Sequence, residues 1–553
     1  MTTRQRFLLD RANRLYAAGA PAEAYTLYRQ LLDDTPDHPG ALRGLGLIAR
    51  DAGRTGAAID LLTRAAAKRP GHPPTVLPLA DLLRRTGNVD RAVAVLRRAR
   101  RQQPNRPALA RALGVALRAA GDTEGAVAEA RAALALNPDD TEALANLGVA
   151  LTSAGRPADG AAALERAVAA RPENVEWHYN LATTYIRLDR LDAAVAALEA
   201  VVAAEPDHHP AWANLGIAHL RRDDPNAAEG PLREAVRLAP GIAWNHYNLA
   251  WLLLLTGRFG EGFAEYAWRR NLPGFPAPRL DAAGPEWDGT RQPGATLLLH
   301  AEQGFGDTIQ FVRYAAPARE RVGRVVLACQ RPLVPLLAEA PGVDAAQALD
   351  APLPAHDVRA AVGDLPRLVD PGSDSPRAPI PYLTAPAPIP VAPAGDGPAV
   401  GLVWAGGPRN GLDRYRSLPD PALLAPLLRV PGIRWVSLQL GERRHEIATL
   451  RLYAPVTDAA PCLTDFGATA AVVAGLDLVV SVDTAMAHVA GALGPPARLL
   501  LSRPTGLPWG HSGAHPPWYP HVALHRQPTP GDWATPVAEL AAVLQTLVQR
   551  ADF

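Results

Sequence analysis

The sequence predicts an array of helical hairpins followed by an α/β region, and two periodicities lead to this fold class. Over the first half of the chain, prolines recur at an unbroken interval of 34 residues, a length typical of a two-helix repeat. After the array this interval is lost, and short apolar runs alternate with helical stretches, as in βαβ units. With 553 residues, 48% of them apolar, the chain can form more than one hydrophobic core.

Each repeat is predicted to contain two helices joined by a tight turn. A leucine followed by a small residue predicts close packing of neighbouring helices, and a glycine or aspartate seven residues later predicts a left-handed turn that ends the first helix. These turn positions are Gly53, Gly87, Gly121, Gly155, Asp189, Asp223 and Gly257, and the periodic prolines are Pro36, Pro70, Pro104, Pro138, Pro172, Pro206 and Pro240.

This pattern resembles the tetratricopeptide repeat over about residues 5–270. The resemblance implies an α-solenoid for residues 1–272, with a role in binding a partner or an acceptor protein.

An asparagine stands directly before the repeated leucine in four successive repeats. A carboxamide donates and accepts hydrogen bonds at once, so a ladder of them could hold an extended polypeptide, similar to the asparagine-lined groove of nucleocytoplasmic O-linked N-acetylglucosamine transferases. The alternative is that these side chains cap or bridge neighbouring helices. Because other residue types stand there in the first repeats, any groove is predicted to be strongest in the later ones. The four residues are Asn146, Asn180, Asn214 and Asn248.

A connector at residues 273–292 leads into the α/β region. Residues 295–300 predict a buried strand, Gly304 and Gly306 a turn, and residues 308–318 a helix with Asp307 at its start. An aspartate at such a junction could serve as a base or cap the helix, and taken alone the residues favour capping.

Two further strand ends carry polar residues. Arg409, Arg414 and Arg416 follow a strand at residues 400–404, and a planar guanidinium binds phosphate oxygens bidentately. After a strand at residues 476–481, Asp483 and Thr484 open a helix that carries His488 on the same face. The plainer interpretation is an N-cap pair with a partly buried histidine, and spacing alone favours it.

Three segments occur in order at these junctions: HAEQGFGDTIQFVRY at 300–314, GLVWAGGPRNGLDRYRSL at 401–418 and SVDTAMAHVAGALGPP at 481–496. Together they resemble the heptosyltransferase-type glycosyltransferases (family 9 type, GT-B fold). The resemblance implies two Rossmann-like lobes, at residues 293–388 and 399–553, joined by a linker at 389–398.

The same resemblance implies roles for individual residues. Asp307 matches the proposed catalytic base, and the glycine turn matches Gly304 and Gly306. A nucleotide-sugar donor is implied, bound near its phosphates by the basic loop that holds Arg409, Arg414 and Arg416, and by Asp483, Thr484 and His488. No metal or other cofactor is expected, and residues 291–553 contain no D-x-D pair.

Joining a polypeptide-binding array to a sugar-transfer region predicts a protein O-glycosyltransferase, because the array would raise the local concentration of the acceptor. Bacterial flagellin glycosyltransferases have a similar plan, which makes flagellin a candidate acceptor. The alternatives are a repeat scaffold without activity and a transferase that acts on a lipid or polysaccharide acceptor.

Composition excludes several other classes. A net charge of +1, from 56 basic and 55 acidic residues, disfavours nucleic-acid binding. Cys329 and Cys462 predict neither a disulfide framework nor a zinc site, which fits a cytoplasmic setting. No apolar run is long enough to cross a bilayer, so no membrane insertion is expected.

Overall fold

The computed structural model describes residues 2–275, 284–376, 380–407, 413–503 and 505–550. It divides into two compact units, Met1–Ala218 and His219–Phe553. The predicted fold class, an α-solenoid followed by an α/β region, is confirmed: antiparallel helical hairpins precede two wholly parallel sheets.

The first unit consists of helical hairpins. Its helices are α1 Thr3–Ala17, α2 Pro21–Asp34, α3 Pro39–Asp51, α4 Thr55–Lys68, α5 Pro73–Arg85, α6 Val89–Gln102, α7 Pro107–Ala119, α8 Thr123–Leu136, α9 Thr141–Ser153, α10 Pro157–Ala170, α11 Val175–Arg187, α12 Leu191–Ala204 and, across the boundary between the units, α13 His209–Arg221.

Both predicted repeat features are confirmed. The backbone φ angle is positive at every predicted turn position, including the two aspartates, Asp189 at 61° and Asp223 at 63°. At Gly148, one of the small residues, an added Cβ would lie 2.6 Å from Leu164 Cγ and 2.8 Å from the Gly160 carbonyl oxygen. The repeat therefore uses glycine where two helices touch backbone to backbone.

The second unit begins with the last repeat-like helices, α14 Pro225–Leu238, α15 Ala243–Leu255 and α16 Phe259–Tyr266, followed by a 3-10 turn at Ala267–Asn271. The apolar faces of α15 and α16 share one core with the α/β region. The ring of Trp518 stands edge-on to Phe259, Phe263 and Phe311, with centroids 5.4, 6.0 and 5.8 Å away. The final hairpin of the predicted array is thus an integral part of the α/β unit.

The first sheet is parallel and has the strand order β3-β2-β1-β4. Its strands are β1 Gln292–His300, β2 Val322–Cys329, β3 Ala345–Ala348 and β4 Val358–Ala361, and its helices are α17 Phe305–Phe311, α18 Ala315–Arg319, α19 Val334–Leu337 and α20 Leu365–Val369.

The second sheet is also parallel, with the order β10-β9-β8-β5-β6-β7. Counted from its own first strand, this is the Rossmann order 3-2-1-4-5-6, read from the opposite edge. Its strands are β5 Ala399–Val403, β6 Arg434–Ser437, β7 Val456–Asp458, β8 Leu478–Val482, β9 Ala497–Leu501 and β10 Val522–Arg526, and its helices are α21 Asp413–Arg416, α22 Ala425–Leu428, α23 Ile447–Leu450, α24 Phe466–Val473, α25 Ala485–Leu493 and α26 Ala534–Arg550.

Candidate active site

The second sheet reverses its strand order between β5 and β8, and in such sheets ligands bind in the crevice beyond the carboxyl ends of those two strands. Arg416 follows β5 and Asp483 follows β8. The structure brings them together, with Arg416 Nε 3.2 Å from Asp483 Oδ2. Arg416 remains about a quarter exposed, at 24%, so its guanidinium is available to an anion that enters the crevice.

Gly506 closes one side of this ion pair, and no sequence pattern marked this residue. A Cβ at this position would lie 2.7 Å from Asp483 Oδ2 and 3.6 Å from Arg416 Nη2. The Gly/Pro/Trp-rich segment 505–519 therefore borders the site, and glycine at 506 lets its backbone approach the ion pair.

Thr484 and His488 lie at and within α25. The Thr484 hydroxyl is 3.2 Å from Ser481 Oγ and does not cap the helix, so the first N–H groups of α25 have no side-chain acceptor from this residue. His488 is buried, and burial lowers its pKa to about 4. His488 is therefore neutral at neutral pH.

The helix after β1 begins earlier than predicted. It starts at Phe305, with Gly304 as its N-cap, and a 3-10 turn interrupts it at Val312–Tyr314. Pro317, which has no N–H to donate to the Arg313 carbonyl, favours this break. Asp307 Oδ2 accepts a hydrogen bond of 3.0 Å from the Gly304 N–H, so the predicted capping interaction is present within the first turn.

Gly306 is one of the points at which the two lobes meet. A Cβ there would lie 2.7 Å from His488 Cδ2 and 3.0 Å from His488 Nε2. The predicted site residues of the first lobe are therefore brought directly against α25 of the second lobe.

Asp307 is the unpaired acid of this cleft. Burial, the largest cause, raises its pKa to about 6; the Gly304 hydrogen bond and the charge of Arg416 act against this shift, while Asp483 and Glu302 add to it. No ion pair to Asp307 is present among the described residues. A carboxylate that is ionised at neutral pH yet nearly half-protonated at pH 6 has the basicity of a general base.

A buried ion cluster fills the corresponding crevice of the first sheet, between β1 and β4. The fully buried guanidinium of Arg269 donates from Nε to Glu302 Oε1 at 2.8 Å and from Nη1 to Asp364 Oδ1 at 2.8 Å. Arg269 lies in the 3-10 turn after α16, and no sequence pattern marked it as part of a site. Arg269 thus supplies a cation to Glu302 and Asp364, whereas Asp307 forms no ion pair with a described residue.

The repeat helix α15 borders Asp307. Burial raises the pKa of the Tyr247 hydroxyl, and the negative charge of Asp307 raises it further. A cavity of about 40 Å³ beside Asp307 is walled by Leu254 and Phe263 of the last hairpin and by Leu507. Asn248, the residue after Tyr247, belongs to the same helix.

The other predicted asparagines lie in the first unit. Asn214 Nδ2 donates to Tyr179 Oη at 3.2 Å, so this amide bridges α13 to α11, as the alternative interpretation holds. Asn146 lines a groove of about 300 Å³ together with Leu77 and Arg111. This groove spans the third to fifth repeats, earlier in the array than predicted, and Asn180 remains half-buried.

One predicted arginine, Arg414, does not join the site. Arg414 is exposed and donates to Tyr415 Oη at 2.7 Å. Arg409 lies outside the described residues.

In the part of the chain that the structure describes, no helix combines the length and apolar character needed to cross a bilayer. Within those same residues, no group of three His, Cys, Asp or Glu side chains is placed to hold a metal ion.

Tetratricopeptide-repeat family models match residues 49–115 and 151–216, and a second such model matches residues 9–73 and 111–175. The N-terminal region therefore carries tetratricopeptide repeats, as predicted. The chain is 30% identical over 345 residues to Protein FlbA of Caulobacter vibrioides, covering 56% of this chain and 57% of that protein. The chain thus spans little more than half the length of this relative.

Similar solved structures include a tetratricopeptide repeat protein from Parabacteroides merdae, with a TM-score of 0.38 and 14% identity, covering 45% of this chain and 98% of that one. Another is YrrB, described as a TPR protein with an unusual peptide-binding site, with a TM-score of 0.28 and 20% identity, covering 33% of this chain and 95% of that one.

Proposed function

We propose that this protein is a glycosyltransferase that moves a sugar from a nucleotide-sugar donor to Ser or Thr hydroxyls of a protein acceptor. The observation that carries the proposal is the placement of Asp307, a half-buried carboxylate that forms no ion pair with a described residue, in the same cleft as the Arg416–Asp483 pair. One group is suited to accept a proton and the other to bind a phosphate.

In this mechanism the acceptor oxygen attacks the anomeric carbon of the sugar while its proton passes to Asp307. The bond between that carbon and the diphosphate oxygen breaks, and the electron pair leaves with the nucleoside diphosphate. Arg416 and the uncapped N–H groups of α25 lie where they would stabilise this negative charge. Besides the acceptor protein, the reaction in this mechanism requires only the nucleotide-sugar donor.

The position of α15 supports a protein acceptor. This repeat helix carries Tyr247, which interacts electrostatically with Asp307, and Asn248 is the next residue of the helix, so a polypeptide bound along α15 would end near the base. Tetratricopeptide repeats are used widely to bind proteins, and flagellin is the acceptor we would test first.

The test is intact-mass spectrometry of flagellin co-expressed with sugar-nucleotide biosynthesis genes and one of three forms of this chain. The forms are the unmodified chain, Asp307→Asn and, as a matched control, Asp350→Asn. Asp350 belongs to the same lobe but is exposed and paired with Arg331. A sugar-sized mass increase is expected with the unmodified chain and with the control, and not with Asp307→Asn.

Other outcomes separate the alternatives. An increase with Asp307→Asn as well would show that Asp307 is not the base. Release of nucleoside diphosphate from a panel of nucleotide sugars, without modification of any protein, would indicate a lipid or polysaccharide acceptor. Neither release nor modification with any donor would favour the inactive scaffold.

A further inference from the structure

A chain of buried hydroxyl groups connects His488 to the first lobe. His488 Nδ1 is 3.0 Å from Tyr519 Oη, Tyr519 Oη is 3.4 Å from Tyr382 Oη, and Tyr382 Oη is 2.9 Å from the backbone oxygen of Ile309 in α17. All three side chains are at least nine-tenths buried. Water is therefore not available to accept a hydroxyl proton that points away from its neighbour in this chain.

The hydrogen bond between Tyr382 and Ile309 determines which group donates and which accepts at the other links of the chain. A carbonyl oxygen can only accept, so the single proton of the Tyr382 hydroxyl goes to Ile309, and the Tyr382 oxygen presents lone pairs to Tyr519. If Tyr519 gave its own proton to His488, two buried oxygens would face each other at 3.4 Å without a proton between them. If Tyr519 instead donates to Tyr382, its oxygen is free to accept from His488, and every group is satisfied.

His488 and Tyr519 are both neutral at neutral pH. Burial lowers the pKa of His488 to about 4 and raises the pKa of Tyr519 well above its ordinary value. At neutral pH the imidazole therefore carries one proton, and the phenol keeps its own. The remaining question is which ring nitrogen of His488 is protonated.

We infer that Tyr519 and Tyr382 hold His488 as the Nδ1–H tautomer, so that its unprotonated Nε2 acts as a hydrogen-bond acceptor in the cleft beside Gly306. Nε2 makes no hydrogen bond to a described residue. Tyr519 and Tyr382 are positioning residues, because they act through His488.

The tautomer of His488 determines which kind of ligand group can form a hydrogen bond with its Nε2. An ionised phosphate oxygen has no proton and would oppose the Nε2 lone pair, whereas a sugar hydroxyl would donate to it. His488 therefore takes a hydroxyl group of the donor sugar, and the diphosphate lies toward Arg416. This assignment of ligand groups rests on the proposed function, but the tautomer itself does not.

The experiment is long-range ¹H–¹⁵N correlation spectroscopy of the full chain labelled with ¹⁵N-histidine. His488→Gln identifies the His488 signals by their loss. The expected pattern for the unmodified chain is a protonated Nδ1 and an unprotonated Nε2. A protonated Nε2, or equal populations of the two tautomers, would overturn the inference whether or not the protein transfers sugar.

Tyr382→Phe is the decisive variant. It removes the acceptor of the Tyr519 proton, so Tyr519 is expected to donate to His488 Nδ1 and the histidine to switch to the Nε2–H tautomer. Tyr453→Phe is the matched control, since Tyr453 lies in the second lobe and packs with Arg429 outside the chain of hydroxyls. A switch in both variants, or in neither, would contradict the relay. A loss of packing alone predicts no such exchange of tautomers.

Inorganic pyrophosphate tests the assignment of ligand groups. Titrated into the unmodified chain, it is expected to leave Nε2 unprotonated. Protonation of Nε2 on addition of pyrophosphate would show that His488 binds the diphosphate instead, and would overturn that assignment.

Discussion

Asp307 keeps its negative charge at neutral pH at a cost in folding free energy. Its pKa is about 6 in the folded protein and about 3.9 in an unfolded chain. Between these values the folded state binds the proton more tightly than the unfolded state does. Stability contributed by this group is therefore greatest below about pH 4 and is lost as the pH rises toward 6.

Asp307→Asn should accordingly stabilise the fold while it removes activity. The amide oxygen can still accept from the Gly304 N–H, but the buried charge is gone. We expect the free energy of unfolding to rise by about 1–3 kcal/mol at neutral pH and to change little below about pH 4. Urea titrations at both pH values, with Asp350→Asn as the reference, would measure this. A destabilised Asp307→Asn variant at neutral pH would contradict the burial that we ascribe to Asp307.

The same pKa predicts the pH dependence of catalysis. Because the base must be ionised to take a proton, kcat/KM should fall as the pH is lowered through about 6, with the slope of one proton. The measurement is the rate of nucleoside diphosphate release across the range from about pH 5 to pH 8. A rate that is flat through about pH 6 would exclude Asp307 as the group that limits the reaction.

Arg269 is predicted to be the most sensitive charged residue in the second unit. Arg269→Met leaves Glu302 buried without its cation and leaves Asp364 with Arg270 alone. Loss of one partner of a buried ion pair typically destabilises a protein by about 3–5 kcal/mol. The control is Arg331→Met, because Arg331 forms an exposed pair with Asp350, and its loss should change stability by no more than about 1 kcal/mol. Thermal unfolding of both variants would compare them, and equal effects would refute the buried cluster.

At the scale of the helical hairpin, glycine serves two different purposes that substitution should separate. Gly121 has φ of 84° with nothing within 4 Å of an added Cβ, so Gly121→Ala should cost about 1–2 kcal/mol through the backbone alone. Gly121→Asn should cost less, since asparagine tolerates the left-handed region. Gly148→Ala instead meets Leu164 and a carbonyl, and should cost about 1–3 kcal/mol through overpacking.

Chemical denaturation of the three variants distinguishes these causes. If asparagine at position 121 were as damaging as alanine, backbone conformation would not explain the turn. If Gly148→Ala were neutral, the contact between α9 and α10 would be looser than the distances indicate.

The elements that the sequence predicted are those governed by local chemistry. The 34-residue period placed the turns, including Asp223, and apolar runs placed the central strands within a few residues. The sequence did not indicate that the Asp223 carboxylate contacts His511, at 3.1 Å, and Arg503, because those partners are distant in the chain. The start of α17 was misplaced since Gly304 caps with its backbone and has no side chain to mark the position.

The candidate site was predicted in part. Local patterns marked the strand ends that precede Asp307, Arg416 and Asp483 but favoured helix capping at the two aspartates, and only the resemblance to glycosyltransferases predicted a site there. Gly506, Arg269 and Tyr519 were missed, because each acts through a contact with a residue at least 20 positions away.

At the scale of the whole molecule, the last hairpin should behave as part of the α/β unit. A fragment of residues 273–553 lacks Phe259, Phe263 and Arg269, and so exposes the apolar faces of Phe311 and Trp518. We expect this fragment to aggregate and to bind a hydrophobic dye, whereas residues 219–553 should be monodisperse and unfold cooperatively. Size-exclusion chromatography with light scattering would compare them, and a well-folded 273–553 fragment would contradict the shared core.

The shared core also restricts how such a gene can change by recombination. Duplication or loss of whole 34-residue modules before Ala218 would leave α14–α16 and their apolar partners intact, so the number of repeats is open to variation. A recombination junction near residue 272, the predicted end of the repeat array, would separate Phe263 from Trp518 and Arg269 from Glu302. The α/β region and its final hairpin are therefore expected to be inherited together, and only the repeats before that hairpin can be exchanged.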